Sequence, residues 1–184
     1  MLYTRKGDDG TTKVFDSGPG ARMSKSSCQT ETLGALDELN SFLGLVKVKA
    51  ASMSWTVNAR PFSEIIEWVQ NSLFIVQAEV AGANKTIVID KVTEMESIVD
   101  GIEKEMPPIK TFFVSGGTEL AALLDVSRTL ARKAERRVVA SMESGEVKVS
   151  VATLAFLNRL SSLLYAMARL TNHKSGIKEV APGY

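Results

Sequence analysis

The feature that most constrains this chain is an apolar spacing of three and four residues that recurs in five separate segments. In the first, Leu33, Leu36, Leu39, Leu43 and Val46 follow one another at that spacing. Such a period places them on one stripe of an α-helix beginning near Ser26. A second stripe runs through Ile65, Val69, Leu73, Val76 and Val80. Pro61 precedes it at the N1 position, where the missing N–H of proline costs nothing. Asp90 reads as the N-cap of a shorter helix through Val92, Met95, Ile98 and Ile102, stopped by Pro107-Pro108. Thr118 reads as the N-cap of a fourth, with Leu120, Leu124, Ala131, Ala134 and Val138 facing inward. The fifth extends from about Val149 to Asn172 through Leu154, Leu157, Leu160, Leu164 and Ala168, with Asn172 and Gly176 as stop signals. Strand candidates are brief, around Thr11–Phe15 and Thr111–Val114. The expected architecture is therefore an all-α five-helix bundle.

A chain of 184 residues is long enough to bury a conventional core as one domain, 1–184. Within it, residues 1–25 form an irregular N-terminal segment, 26–173 the bundle and 174–184 a tail, ordered in part only when something binds it. The 22 Lys+Arg and 21 Asp+Glu leave a net charge of +1, which provides no global attraction for nucleic acid or an anionic membrane. A single cysteine, Cys28, excludes an internal disulfide. No apolar run of about 18 residues is evident, so no membrane span is expected and the cytoplasm is the expected compartment. One histidine, His173, near the end of the chain leaves little material for Ser-His or Cys-His catalysis. The paired Glu-x-x-His motif of bundle metalloproteins is absent.

Two segments look anion-friendly. The first is Thr4-Arg5-Lys6-Gly7-Asp8-Asp9-Gly10-Thr11-Thr12. Glycines three apart permit positive φ, so backbone N–H groups can converge on a phosphate, while Arg5 and Lys6 add charge and Asp8 or Asp9 can hold magnesium through water. The same composition also describes an ordinary Asp-Gly turn. The second lies on the fourth helix, where residues 128–137 hold Arg128, Arg132, Lys133, Arg136 and Arg137 against one carboxylate, Glu135. Arg128, Arg132 and Glu135 share a face. Guanidinium groups suit bidentate phosphate recognition, and Glu135 can orient one or bind a ribose hydroxyl; a solvated face is the plainer meaning.

Three other places interrupt apolar patterns. Asp37 lies beside the buried stripe of the first helix and needs a cationic partner, for which Arg128 is the candidate, within or between subunits. Asn158-Arg159 interrupts the last helix, implying a polar network or a ligand contact. Phe112-Phe113 reads either as core filler or as the apolar wall of a pocket for a flat ligand.

Taken in order, these segments resemble the trimeric, propanediol-utilisation-type ATP:cob(I)alamin adenosyltransferases. The matching motifs are Thr4-Arg5-x-Gly7-Asp8-x-Gly10-x-Thr12, Leu36-Asp37-Glu38-Leu39-Asn40-Ser41, Gly116-Gly117-Thr118, Arg128-x3-Arg132-Lys133-Ala134-Glu135-Arg136-Arg137 and Leu157-Asn158-Arg159-Leu160-Ser161. Ser115, Ser162 and Lys133 depart from the family's usual residues. The resemblance implies a five-helix bundle, a homotrimer with sites between subunits, and transfer of the 5′-deoxyadenosyl group from MgATP to cob(I)alamin, with triphosphate released. On it, Thr4, Arg5, Gly7, Asp8, Gly10, Thr12 and Lys25 hold the triphosphate, and Arg132, Glu135 and Asn158 line the ATP site, with Arg132 and Asn158 catalytic. Asp37 pairs with Arg128 across the interface near the corrin, and Phe112, with Phe113 beside it, blocks the lower face of cobalt. A cobalamin reductase and a B12-dependent enzyme are implied as partners. A different class of reading is a helical module that binds nucleic acid or protein through the Arg128–Arg137 face.

Overall fold

The computed structural model describes residues 3–15 and 21–183. The glycine-rich stretch of residues 16–20 that the sequence assigns to loop lies outside them. Five helices carry the fold: α1 (Cys28–Ala50), α2 (Phe62–Val80), α3 (Ile89–Glu103), α4 (Glu119–Glu143) and α5 (Val151–Lys174). Two small antiparallel hairpins flank α1. β1 (Thr11–Thr12) pairs with β2 (Met23–Ser24), and β3 (Thr56–Val57) pairs with β4 (Arg60–Pro61). Around Thr11–Phe15, then, strand is limited to two residues. At Thr111–Val114 there is none, only one backbone bond from Val114 N–H to the Val180 carbonyl (2.9 Å).

Side-chain contacts fix the helix directions. Gln70 donates to the Asn40 carbonyl (3.0 Å) and Gln29 to that of Val80 (2.7 Å), so α1 and α2 run antiparallel. The ion pairs Glu31–Arg137 and Glu38–Lys133 set α4 antiparallel to α1. Bonds from α5 back to Glu135 and Asp125 set α5 antiparallel to α4. By contrast, Glu96–Arg159 and Glu105–Lys174 show α3 running parallel to α5. The apolar stripes meet in one core, with Leu36, Leu39, Leu43, Ile65, Leu73, Phe156, Leu160 and Leu164 fully buried.

The helix starts follow side-chain chemistry with small shifts from the sequence reading. Ser27, Thr118 and Ser150 accept from the backbone N–H three residues on and cap α1, α4 and α5. Pro61 is the N-cap of α2 rather than its N1 residue, because its ψ of 146° is extended. Val88, not Asp90, caps α3. Asp90 already lies in the first turn, where its charge opposes the helix dipole.

Two expectations need correction. Helix α5 is long and apolar enough by length and composition to cross a membrane, although no such run was evident in the sequence. It packs against both α3 and α4, and from Leu163 to Asn172 only Tyr165 escapes full burial. An inner helix of a bundle meets the same apolar demand on nearly every side as a lipid-facing one. The tail, expected to order in part only on binding, is docked on the bundle. Glu179 pairs with Arg169, and Val180 accepts from Val114.

Candidate functional site

Where the end of α3, the 109–115 segment, α4 and α5 converge, they leave an open cleft of about 490 Å3. Arg128 and Arg132 enter it from α4, Ser161, Ser162 and Tyr165 from α5, and Phe112 and Phe113 from the segment before the Ser-Gly-Gly turn. The two phenylalanines differ. Phe113 is half-buried, whereas Phe112 is 77% exposed, which rules out a core-filling role in the monomer. An exposed ring beside arginines offers a flat apolar surface and a cationic one in the same space.

Of the cations in residues 128–137, Lys133 pairs with Glu38 (2.6 Å) and Arg137 with Glu31 (3.7 Å). Arg128, Arg132 and Arg136, four residues apart, share one stripe of α4, and Arg136 is exposed without an ion pair among the described residues. Arg132 is exposed on the cleft without an ion pair among the described residues. Arg128 lies 4.0 Å from the Asp125 carboxylate, and its Nε is buried with no hydrogen-bond partner. Both guanidiniums can therefore take an external acceptor.

Asn158 and Glu135 meet across α4 and α5, with Asn158 Nδ2 donating to Glu135 Oε1 (2.9 Å). Arg159, anchored to Glu96 (2.9 Å), donates to Asn158 Oδ1 (2.8 Å). The amide of Asn158 is thus oriented from both ends, with one N–H and one lone pair left for a ligand. The sequence marked Asn158 and Glu135 separately; Arg159 and Glu96 as the orienting pair were missed.

The N-terminal loop is compact. Gly10 has φ +80, as the glycine spacing allows, but the second positive-φ residue is Arg5 (φ 59) rather than Gly7. Arg5 stacks over Tyr3, and Thr4 Oγ1 accepts from Lys6 N–H. Lys25 Nζ donates to the Gly7 carbonyl (2.8 Å), and its own N–H bonds the Gly10 carbonyl (3.0 Å). Thr12 is paired to Met23 in the hairpin, and Asp8 is exposed. Thr11 donates to Asp9 from its N–H and its hydroxyl, and these bonds hold the carboxyl below its ordinary value. Arg22, which the sequence did not mark, locks the hairpin through Thr11 Oγ1 (2.6 Å).

Within the chain the predicted residues fall into three groups. Arg128, Arg132, Phe112 and Phe113 share the cleft, and Glu135 with Asn158 lies beside Arg132 on the same helices. No hydrogen bond or ion pair joins the 4–12 loop to these among the described residues. Asp37 is exposed on a separate apolar groove of about 680 Å3 with Leu33, Phe74 and Ala78, so it does not meet Arg128 within the chain. The α1–α4 contact runs along Glu31 and Glu38, which turns Asp37 toward α2 instead.

A five-helix bundle whose cleft sets Arg128 and Arg132 beside Phe112 and Phe113 has the form of a helical protein suited to ligands that are part anion and part flat ring. The family model for cobalamin adenosyltransferase matches residues 2–171. A corrinoid adenosyltransferase of Bacillus subtilis is 37% identical over 97% of this chain and 90% of its own length. Corrinoid adenosyltransferase PduO of Citrobacter freundii is 34% identical over the whole chain, which spans 54% of that longer protein. The solved structure of a variant PduO-type ATP:corrinoid adenosyltransferase from Lactobacillus reuteri, complexed with cobalamin and ATP, superimposes with a TM-score of 0.85 at 27% identity, covering 99% of this chain and 96% of that one. The chain belongs to the cobalamin adenosyltransferase family.

Proposed function

We infer that this chain transfers the 5′-deoxyadenosyl group of ATP to the cobalt of a reduced corrinoid. The observation that carries the reading is the shared cleft of Arg128, Arg132, Phe112 and Phe113, in a chain matched almost end to end by corrinoid adenosyltransferases. Cobalt(I) supplies an electron pair to C5′ of ATP. The Co–C bond forms as the C5′–O bond breaks, and the pair from that bond leaves on triphosphate. No proton moves, so a chain with one exposed histidine lacks nothing.

Each part of the site has a task on this reading. Arg132 neutralises charge building on the leaving triphosphate, which is where a preformed donor gives most rate. Asn158, oriented by Glu135 and Arg159, presents its free N–H and lone pair to the nucleoside. The loop residues Thr4, Arg5, Gly7, Asp8, Gly10 and Thr12, closed by Lys25, hold the phosphates. Magnesium fits as an ion carried by those phosphates with Asp8 or Asp9 in its water shell, the arrangement usual for nucleotide sites; no cluster of three acidic, His or Cys side chains suited to a metal occurs among the described residues. Phe112 and Phe113 cover the lower face of cobalt and exclude a ligand there, which favours reduction of cobalt(II).

A homotrimer completes the site. The loop and the arginine cleft are separate within one protomer, and Asp37 lies on an apolar groove away from Arg128, so a neighbouring copy supplies what each half lacks. The cytoplasm and a reductase that delivers the electron go with this reading, because cobalt(I) needs reducing surroundings. Mixing protein, MgATP and chemically reduced cobalamin should convert the corrin spectrum and release triphosphate. No spectral change and no triphosphate would sink the proposal. Arg132→Ala and Asn158→Ala should each cut kcat/KM for ATP by about 10²–10³-fold, as loss of a transition-state donor does.

A further inference from the structure

The least expected polar group in the fold is Arg169. It is 2% exposed, inside the apolar run of α5, yet carries a guanidinium. Its Nη2 donates to Asp125 Oδ2 on α4 (2.5 Å), its Nη1 bonds Glu179 of the C-terminal tail, and its plane lies over the Tyr165 ring at 5.0 Å. Both carboxylates also serve the segment that carries the phenylalanines. Asp125 Oδ2 accepts from Gly116 N–H (3.3 Å). Glu179 Oε1 accepts from Asn172 Nδ2 (2.7 Å), the same nitrogen that donates to the Gly116 carbonyl (2.8 Å). Two residues before Gly116, Val114 N–H bonds the Val180 carbonyl (2.9 Å). The segment holding Phe112 and Phe113 is thus gripped on its C-terminal side by a network whose outer member belongs to the tail. Phe113 itself contributes to two spaces, the cleft with Arg128 and a smaller one with Arg169, Ile177 and Glu179.

A buried ion pair of this kind is weak evidence for stability, since desolvation offsets much of the attraction. It does specify one geometry, because removing any member strands the others. The tail has few other means of holding its position. Residues 180–183 have no bond to the bundle apart from that of Val180 among the described residues.

We propose that Glu179 is a positioning residue for the aromatic wall: acting through Arg169 and Asn172, it clasps the 112–117 segment so that Phe112 and Phe113 stand against the corrin. The proposal rests on the functional reading above. Its consequence is selective. Loss of the clasp loosens the corrinoid face of the site and leaves the ATP face intact, because Arg132, Glu135 and Asn158 are held by α4, α5 and, through Arg159, Glu96 of α3, with no bond to Glu179.

The test uses the full chain with MgATP and cobalamin. Glu179→Ala should raise KM for the corrinoid about tenfold or more, the scale of loss when a positioned group shifts by a fraction of an ångström. KM for ATP should stay within about twofold. With MgATP bound, the cobalt(II) absorption and electron paramagnetic resonance spectra, which report the lower axial ligand, should keep more of the ligated form than wild type. Glu179→Gln keeps an acceptor for Arg169 and Asn172 and should recover much of the corrinoid affinity. Truncation after Glu179 removes the Val180 carbonyl but keeps the carboxylate, and should give a smaller loss of the same selectivity. If Glu179→Ala matches wild type in corrinoid KM and cobalt(II) spectrum, or loses ATP and corrinoid affinity equally, the proposal is overturned. If that variant does not fold, the truncation decides, and an unchanged corrinoid KM there overturns it too. Wild-type protein without adenosyl transfer would instead sink the functional reading itself.

Discussion

Replacing Asn172 with alanine is the sharpest test of how the Gly116-Gly117-Thr118 turn is built. Asn172 is 1% exposed and bridges α5 to the start of α4. Its Nδ2 donates to the Gly116 carbonyl (2.8 Å) and to Glu179 (2.7 Å), and its Oδ1 accepts from Thr118 N–H (3.0 Å). The amide packs so closely on Gly117, at φ +99, that a Cβ there would overlap it. Asn172→Ala deletes these three hydrogen bonds and a longer fourth, from Thr118 Oγ1 to Asn172 Oδ1 (3.4 Å), and opens a gap over the turn. At about 1 kcal/mol net for each of the three short bonds, the loss is about 3 kcal/mol. For a chain of this size 1 kcal/mol moves Tm by about 2–4 °C, so the drop should be about 6–12 °C. Calorimetry at one fixed protein concentration measures it, since any oligomer would make Tm concentration-dependent. A loss below about 1 kcal/mol would refute the reasoning and mean that water takes over the amide's bonds.

Phe112→Ala should leave KM for ATP within about twofold while slowing cobalt(II) reduction about tenfold or more, the scale of a lost positioning contact; wild-type behaviour there, with a slow Phe113→Ala, would transfer the role to Phe113. Asp9 has a lowered pKa because Thr11 bonds its charged form, so its contribution to loop order is present above the ordinary value of 3.8 and lost as pH falls through the lower folded value. The Thr11 amide NMR signal should titrate with a midpoint below 3.8, and a midpoint at or above it contradicts the hydrogen bonds. Gly101→Ala places a Cβ 2.6 Å from Asn58 Oδ1 and 2.9 Å from Val57, so overpacking should cost about 1–3 kcal/mol in denaturant unfolding. Unchanged stability would show that the β3–β4 hairpin shifts freely.

The five helices were legible because a helix is a local object. Its hydrogen bonds close over four residues and its buried stripe repeats within seven, so Leu33 to Val46 or Leu154 to Ala168 declare it unaided. Thr118 was legible as a cap for the same reason, while Pro61 and Asp90 were misplaced by one or two positions because one residue type serves neighbouring cap positions. The motifs also brought Arg132, Glu135, Asn158 and both phenylalanines into view, but not which of the rings stands in solvent.

What the sequence by itself determined, then, is the number of helices, their stripes and the family. Tertiary structure alone decided that Asp37 and Arg128 lie on different grooves, that Lys133 and Arg137 are neutralised, and that Arg169 is a buried hub. An arginine in an apolar run has no readable meaning until its partners are known, and these stand 44 and 10 residues away, at Asp125 and Glu179. Such pairs are set by how whole helices and the tail lie against one another, which no periodicity along the chain records.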